Sequence, residues 1–294
     1  QLMAETGEKF DARQFYPQVA YAVDDASGRI QALPVALALP VLFINRAVLR
    51  KAGLDPDPLV KTWLDLQKLA GEIYDHGSKC PLTTTRFAWI HSENVSSQAG
   101  EATVAKVGRI DQVQINGMVN VKHLALLASW QKSRYFHYSG PGREGNRRFL
   151  SGECAMLTGE SSLYADARRA GLDFGIAALP AYDDVYAAKP ADVLPDGASL
   201  WVLAGHKKDE YKLVARFMSF LLRPEVQTEW VQATSYLPMT PSAVKALRDS
   251  GIPQHLLDAA EKRLSVSTKG NGQLKHGPLR DRLHEFIGEE VDFV

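Results

Sequence analysis

An apolar run from Ile30 to Leu49 (IQALPVALALPVLFINRAVL) constrains this chain most, because at first sight it is long enough to cross a membrane. Pro34 and Pro40 interrupt the run, and Asn45 and Arg46 close it. A proline inside a helix removes a backbone donor and clashes with the preceding turn, so two short buried strands are expected in place of a spanning helix. With 294 residues the chain is long enough for two packed lobes. Lysine plus arginine and aspartate plus glutamate each total 34, so the formal charge is zero and no global field draws in nucleic acid or anionic lipid.

Strand-like and helix-like segments alternate along the chain. Leu33–Phe43 reads as extended, and Thr62 with Asp65 forms a capping-box start for a helix over Trp63–Tyr74. Leu82–Ile90 is rich in threonine and aromatic residues and reads as a strand; Val121–Gln131 reads as a helix. Cys154–Thr158, Phe174–Leu179 and Ala198–Ala204 read as further short strands. Tyr211, Val214, Ala215, Met218, Leu221 and Leu222 form one stripe of a helix over about Asp209–Leu222. Pro224 and Pro241 each open a helix. This alternation predicts an α/β protein built on mostly parallel sheets.

No G-x-S-x-G elbow, Walker loop, H-E-x-x-H or dinucleotide fingerprint occurs. The stretch Gly140–Gly145 (GPGREG) resembles a phosphate loop, but it lacks a preceding strand and a closing lysine, so a surface turn is expected. His284, Glu285, Glu289 and Glu290 lack metal-chelating spacing and read as a solvated helix end. His91 with Glu93 is a single candidate acid–base pair, weak evidence for catalysis. A hydrolase or lyase would need Glu93 and Glu160 as facing carboxylates. Trp89, where an extended run gives way to a polar segment, is either a platform for a ligand or a core residue. Ser161 and Ser162 begin a helix, a place suited to an anion or polyol and equally to simple capping. Cys80 and Cys154 lack zinc-ligand spacing; two buried thiols and one long-loop disulfide both remain open.

Several stretches together resemble a known family: PVLFINRAVLRKAGLDPDPLVKTWLDLQKLA (40–70), WIHSENVS (89–96), FLSGECAMLTGESS (149–162), GASLWVLAGHKKDEYKLVARFMSFLLRPEVQTEWVQATSYLPMTPSA (197–243) and TKG…LRD (268–281). They are similar to the extracellular solute-binding proteins of ABC sugar importers, and within them to the branch that binds sn-glycerol-3-phosphate. The resemblance implies a two-lobed periplasmic-binding-protein fold of type II, with solute held in a cleft. It implies no enzymatic activity and no cofactor. Expected partners are a small polar solute and the permease subunits of an importer, with the membrane reached only through the permease, no nucleic acid, and a monomeric state. A periplasmic or extracellular, membrane-tethered location follows.

The expected lobes are 1–38 with 198–237 (lobe one, partial) and 39–197 with 238–294 (lobe two). The match begins well into the family pattern, so lobe one is expected to lack its N-terminal strands in the visible chain, which starts at Gln1 without a signal peptide. A final helix after Val294 is likewise expected to be missing from it. The branch places cysteines where Cys80 and Cys154 stand, which implies a disulfide. By resemblance, Trp89 matches the second of two cleft tryptophans, and Arg86 occupies the place of the first. Ser161, with Ser162 beside it, matches a ligand-contacting serine. Gly197, Ala198 and Ser199 match a backbone turn that donates to the ligand, and Tyr236 matches a cleft tyrosine. Two positions depart from the pattern. Ala36–Leu39 replace a polar run, and Gly272 replaces an arginine that grips phosphate. Arg86, Lys269 or Lys275 would have to supply the missing cation for an anionic solute; otherwise a glycerophosphodiester or a saccharide stacked on Trp89 is the expected ligand.

Overall fold

The two prolines divide the apolar run as its sequence requires. Strand β1 (Leu33–Pro34) ends before Pro40 opens β2 (Pro40–Asn45), and the Asn45 side chain caps the helix Arg46–Lys51 by accepting from the amides of Ala47 and Val48. The remaining strands are β3 (Leu82–Thr84), β4 (Val104–Val107), β5 (Ile110–Val113), β6 (Phe136–His137), β7 (Met156–Glu160), β8 (Phe174–Ala178) and β9 (Ser199–Leu200). This computed structural model describes residues 2–25, 27–184, 193–248 and 278–291, together with Gln254 and Leu257. Lys269, Gly272 and Lys275 lie outside the described residues. No helix among the described residues is long and apolar enough to cross a membrane.

The chain divides into two compact units, one drawn from 1–39 and 195–270, the other from 40–194 and 271–294. In the first unit β1 pairs antiparallel with β9, Leu33 facing Leu200. Helices Lys208–Leu221, Pro224–Thr234 and Pro241–Leu247 follow, the last two opened by their prolines as expected. Residues 238–248 belong here and not with lobe two as the sequence suggested. Met239 accepts a backbone hydrogen bond from Tyr16, Thr240 donates to Gln227, and Val244 and Leu247 are buried. The strand expected over Ala198–Ala204 is cut to Ser199–Leu200, because the residues beyond have no described partner strand.

In the second unit five strands form one sheet in the order β6-β3-β7-β2-β8. The sheet is mixed rather than mostly parallel. β3 runs parallel to β6 and β7, while β2 lies antiparallel to both β7 and β8. Every residue of β2 and β7 is buried, consistent with apolar layers on both faces. Phe43 meets Phe149 and Phe174 at ring distances of 5.8 and 5.9 Å. The helix Trp63–Asp75 packs with Trp63, Leu66, Leu69 and Ile73 inward, and the Thr62–Asp65 capping box forms as its sequence predicts. Cys80 and Cys154 are joined in a disulfide that closes a 74-residue separation just before β3 and β7.

Candidate functional site

Parallel strands β3 and β7 are paired in register, Thr84 beside Thr158, so both chains leave the sheet at one edge. Ends of parallel strands are where α/β sheets gather functional groups. β7 delivers Glu160 there and runs directly into a single 3-10 turn, Ser161–Leu163. Ser161 is fully buried and Ser162 half-buried. Beyond β3 the chain turns sharply: Arg86 has φ +46°, a left-handed conformation that costs a side-chain-bearing residue about 1–2 kcal/mol. The turn is held by the 140–142 loop, whose Gly142 and Pro141 carbonyls accept from the amides of Arg86 and Phe87.

The segment after this turn is not the strand the sequence suggested. Ala88–Glu93 winds as a π-helix, a form that recurs at functional sites. Aromatic and β-branched residues favour strands only where a neighbouring strand receives them, and here Trp89 and Ile90 find a buried helical environment instead. The Trp89 ring is fully buried and its Nε1 donates to the Leu194 carbonyl at 3.2 Å. Asn94 holds the same region from both ends, donating to Trp89 O and accepting from Leu194 N. The Arg86 guanidinium lies over the indole, 5.1 Å from its centroid. Trp89 therefore presents its face to a cation of its own chain.

Glu160 sits between two arginines. Its Oε2 accepts from Arg86 Nη1 at 3.3 Å, and Arg143 Nη2 reaches Oε1 at 2.9 Å and Oε2 at 3.2 Å. Sequence reasoning assigned Glu160 only to a hydrolase and Arg143 to a surface turn; nothing in their spacing signals that the fold joins them. Glu93, the other carboxylate of that reading, is buried and bound by Arg280 through Nε and Nη2, with His284 Nε2 2.9 Å from Oε1. Burial would raise the Glu93 pKa, but the Arg280 charge and the His284 hydrogen bond outweigh it and lower it. His284 is thus no solvated helix end: it lies four positions after Arg280, so one face of the helix Pro278–Glu290 carries both to Glu93. Both carboxylates are committed to ion pairs, which removes the acid–base geometry a hydrolase would need.

His91 points away from Glu93 into a buried polar chain. Its Nε2 meets the hydroxyls of Thr84 and Thr158 at 2.9 and 3.0 Å, its Nδ1 meets His123 Nε2 at 2.8 Å, and His123 Nδ1 meets the Tyr182 hydroxyl at 2.9 Å. Burial pushes the His91 pKa down to about 3 and holds His123 well below the usual histidine range, so both rings are neutral. This network lies behind the Arg86–Glu160 edge and fixes β3 to β7.

The other expected site residues lie in the first unit. Gly197 has φ +152°, and a Cβ there would stand 1.9 Å from the Ala36 carbonyl oxygen, so only glycine permits this approach. Its amide donates to Asp196 Oδ1 at 2.8 Å, and the Ala198 carbonyl accepts from Val35 and Ala36. Ser199 is half-buried in β9. Tyr236 is half-buried after the left-handed Ser235 that ends the helix Pro224–Thr234. Ala36–Leu39, the apolar replacement for a polar run, is core: Leu37 O accepts from Leu237 N, and Ala38 bridges to Asp196.

The profile of the bacterial extracellular solute-binding proteins matches residues 2–252. The chain belongs to this family. Among curated relatives, the sn-glycerol-3-phosphate-binding periplasmic protein UgpB of Escherichia coli K12 is 36% identical over 284 residues, covering 95% of this chain and 63% of that protein. Its Salmonella typhimurium LT2 counterpart is also 36% identical, over 257 residues, with 85% and 58% covered. The chain thus spans about three fifths of the length of these relatives. Among solved structures, UgpB from Mycobacterium tuberculosis in complex with glycerophosphocholine aligns with TM-score 0.72 at 20% identity, covering 99% of this chain and 73% of that one. The cyclic alpha-maltosyl-1,6-maltose binding protein of Arthrobacter globiformis aligns with TM-score 0.70 at 19% identity, covering 95% and 70%. At these identities the two structures establish the fold alone, the α/β periplasmic-binding-protein fold expected from the sequence.

Proposed function

We propose that this chain is the solute-binding component of a bacterial ABC importer, located in the periplasm or tethered outside the membrane. It captures a glycerol-phosphate-like, glycerophosphodiester or saccharide solute reversibly and makes or breaks no covalent bond. Its partners are that solute and the permease subunits, and it works as a monomer. The observation that carries this reading is the cluster at the ends of β3 and β7, where a strained Arg86 lies over Trp89 and pairs with Glu160, the residue before Ser161. Family membership and the ligands named for the glycerol-3-phosphate-binding relatives support the same solute class. Within this reading Arg86 pairs with an anionic group, Ser161 and Ser162 bond solute oxygens, and Trp89 sets the position of Arg86. Gly197, Ala198, Ser199 and Tyr236 are the contacts assigned to the first unit.

Isothermal titration with sn-glycerol-3-phosphate, glycerophosphocholine and maltose tests the proposal. At least one of the three should bind, with no product detectable after prolonged incubation. If an anionic solute binds, Arg86→Ala should weaken it by roughly 1.5–3 kcal/mol, the worth of a charge-assisted hydrogen bond, and leave maltose unaffected. Absence of binding by all three would overturn the solute class; turnover of any of them would overturn the binding-only role.

A further inference from the structure

The buried chain from Tyr182 to the ends of β3 and β7 has only two possible hydrogen-bond directions. A neutral imidazole carries one N–H and one bare nitrogen. His91 and His123 are both fully buried and neutral, and His91 Nδ1 faces His123 Nε2 at 2.8 Å. One of these two nitrogens must carry a proton and the other must accept it, so the two tautomers are locked together. Either Tyr182 donates to His123, His123 to His91 and His91 to the threonines, or every one of these bonds runs the opposite way.

Both ends favour the first direction. At the threonine end each proton then has an acceptor. His91 Nε2–H reaches the Thr84 and Thr158 oxygens, the Thr158 hydroxyl donates to Thr84 Oγ1 at 2.9 Å, and the Thr84 hydroxyl donates to the Thr158 carbonyl at 3.2 Å. At the other end a phenol is a stronger acid than a neutral imidazole N–H, and so the better donor of the two. Run in reverse, the chain would leave the Tyr182 proton with no protein acceptor among the described residues. Tyr182 is also held in place. Ala181 beside it exchanges backbone hydrogen bonds with Lys61 and Trp63, and Lys122 Nζ, bound by Asp184, stands 4.5 Å from the centroid of its ring.

We infer that Tyr182 is a positioning residue for the second unit's part of the solute site, and that it acts by setting the direction of this chain. Its hydroxyl fixes both histidines as Nε2–H tautomers and, through them, orients the hydroxyls of Thr84 and Thr158. Thr84 lies two positions before Arg86, and Thr158 two positions before Glu160. The Thr158 carbonyl that meets the Thr84 hydroxyl also accepts from the Thr85 amide. A direction set at Tyr182 is therefore felt where Arg86 and Glu160 leave the sheet. The positioning role rests on the solute-binding reading above; the direction of the chain does not.

Histidine-selective nitrogen-15 spectra and isothermal titration, on the full chain and its Tyr182→Phe variant, test the two parts. In the wild-type chain both rings should carry their proton on Nε2; a proton on Nδ1 of either overturns the inference. Tyr182→Phe keeps the ring against Trp63 and His123 and removes only the hydroxyl. Both histidines should then show an Nδ1–H form together, at about a tenth of the population or more. Affinity for whichever of sn-glycerol-3-phosphate, glycerophosphocholine and maltose the wild type binds should fall about fivefold, the worth of one hydrogen bond. Tautomers unchanged in Tyr182→Phe, or affinity within about twofold of wild type, would mean that the ring only packs, and would overturn the inference while leaving the solute-binding reading intact. If Tyr182→Phe fails to fold, the wild-type spectrum decides alone. A wild-type chain that binds none of the three ligands overturns the solute-binding reading and the positioning role with it.

Discussion

The two units spend their aromatic residues differently. In the second unit Trp63, Trp89, Trp130, Phe43, Phe87, Phe136 and Phe149 are all fully buried, around a sheet of five strands. In the first, β1 and β9 are two residues each, and Trp201, Phe217, Phe220 and Trp230 are 51%, 54%, 42% and 43% exposed. Among the described residues the second unit leaves only one aromatic, Phe286, comparably exposed. A unit that closes its own core can afford polar groups inside it, and the second unit holds the His91–His123 chain and the Glu93–Arg280 pair there. The same unit holds Arg86 in its left-handed turn through the Gly142 and Pro141 carbonyls. The difference teaches that the larger aromatic core, the buried polar networks and the Arg86–Glu160 pair lie together in the second unit.

The largest test of this contrast is the disulfide. Cross-linking residues 74 positions apart should stabilise by roughly 4 kcal/mol in the chain-entropy picture. Replacing both cysteines by alanine should therefore lower the stability of the second unit by that amount. Hydrogen exchange in β3 and β7 should rise steeply, while exchange in the helix Lys208–Leu221 stays unchanged. Equal loss of protection in both units would break the distinction.

Acid comes next. The folded second unit keeps His91 neutral down to about pH 3, whereas the unfolded chain protonates it near its ordinary value of 6.5. Below pH 6.5 the unfolded state therefore binds more protons, and stability falls with falling pH by about 1.4 kcal/mol per unit for each such histidine. Between pH 7 and pH 5 the loss should reach roughly 2 kcal/mol for His91, with His123 adding in the same direction. Urea titrations across that range, read by exchange in β3 and β7, should show the slope, and His123→Gln should reduce it. A flat profile would show that the pair opens to solvent.

Helix caps give a smaller and more even effect. Thr62 accepts from Asp65 N in the second unit, and Thr240 accepts from Ala243 N in the first. Each Thr→Ala change should cost about 1 kcal/mol, lowering the protection of its own unit only. The Thr62–Asp65 cap, the prolines at 224 and 241, and the stripe through Ala215 and Met218 were legible because they depend on neighbours within a few positions, whereas the Thr240 cap was not read. The disulfide was legible only as something a resemblance implied. What escaped the sequence depends on distant partners. The π-helix was read as a strand because Trp89 and Ile90 favour strands unless burial is found elsewhere. Sheet direction was missed because β2 takes antiparallel neighbours on both sides. Trp89 and Ser161 stood out from their own surroundings in the sequence, Arg86 only through resemblance and Glu160 only as a hydrolase carboxylate; the pairing of Glu160 with Arg143 emerged only when the fold set the 140–145 loop beside the end of β7.

The smallest expected effect probes the first unit's exposed aromatic face. A residue already half in water gains little from the fold, so Trp201→Ser or Phe217→Ser should change stability by no more than about 0.5 kcal/mol. The same change at buried Phe43 or Phe149 should cost roughly 3–5 kcal/mol, since it leaves a cavity in a packed core. Thermal unfolding of the four variants compares the two units directly. If Trp201→Ser or Phe217→Ser instead cost 2 kcal/mol or more on this scale of roughly 3–5 kcal/mol for core changes, those side chains would be part of a closed core, and the contrast between the units would vanish.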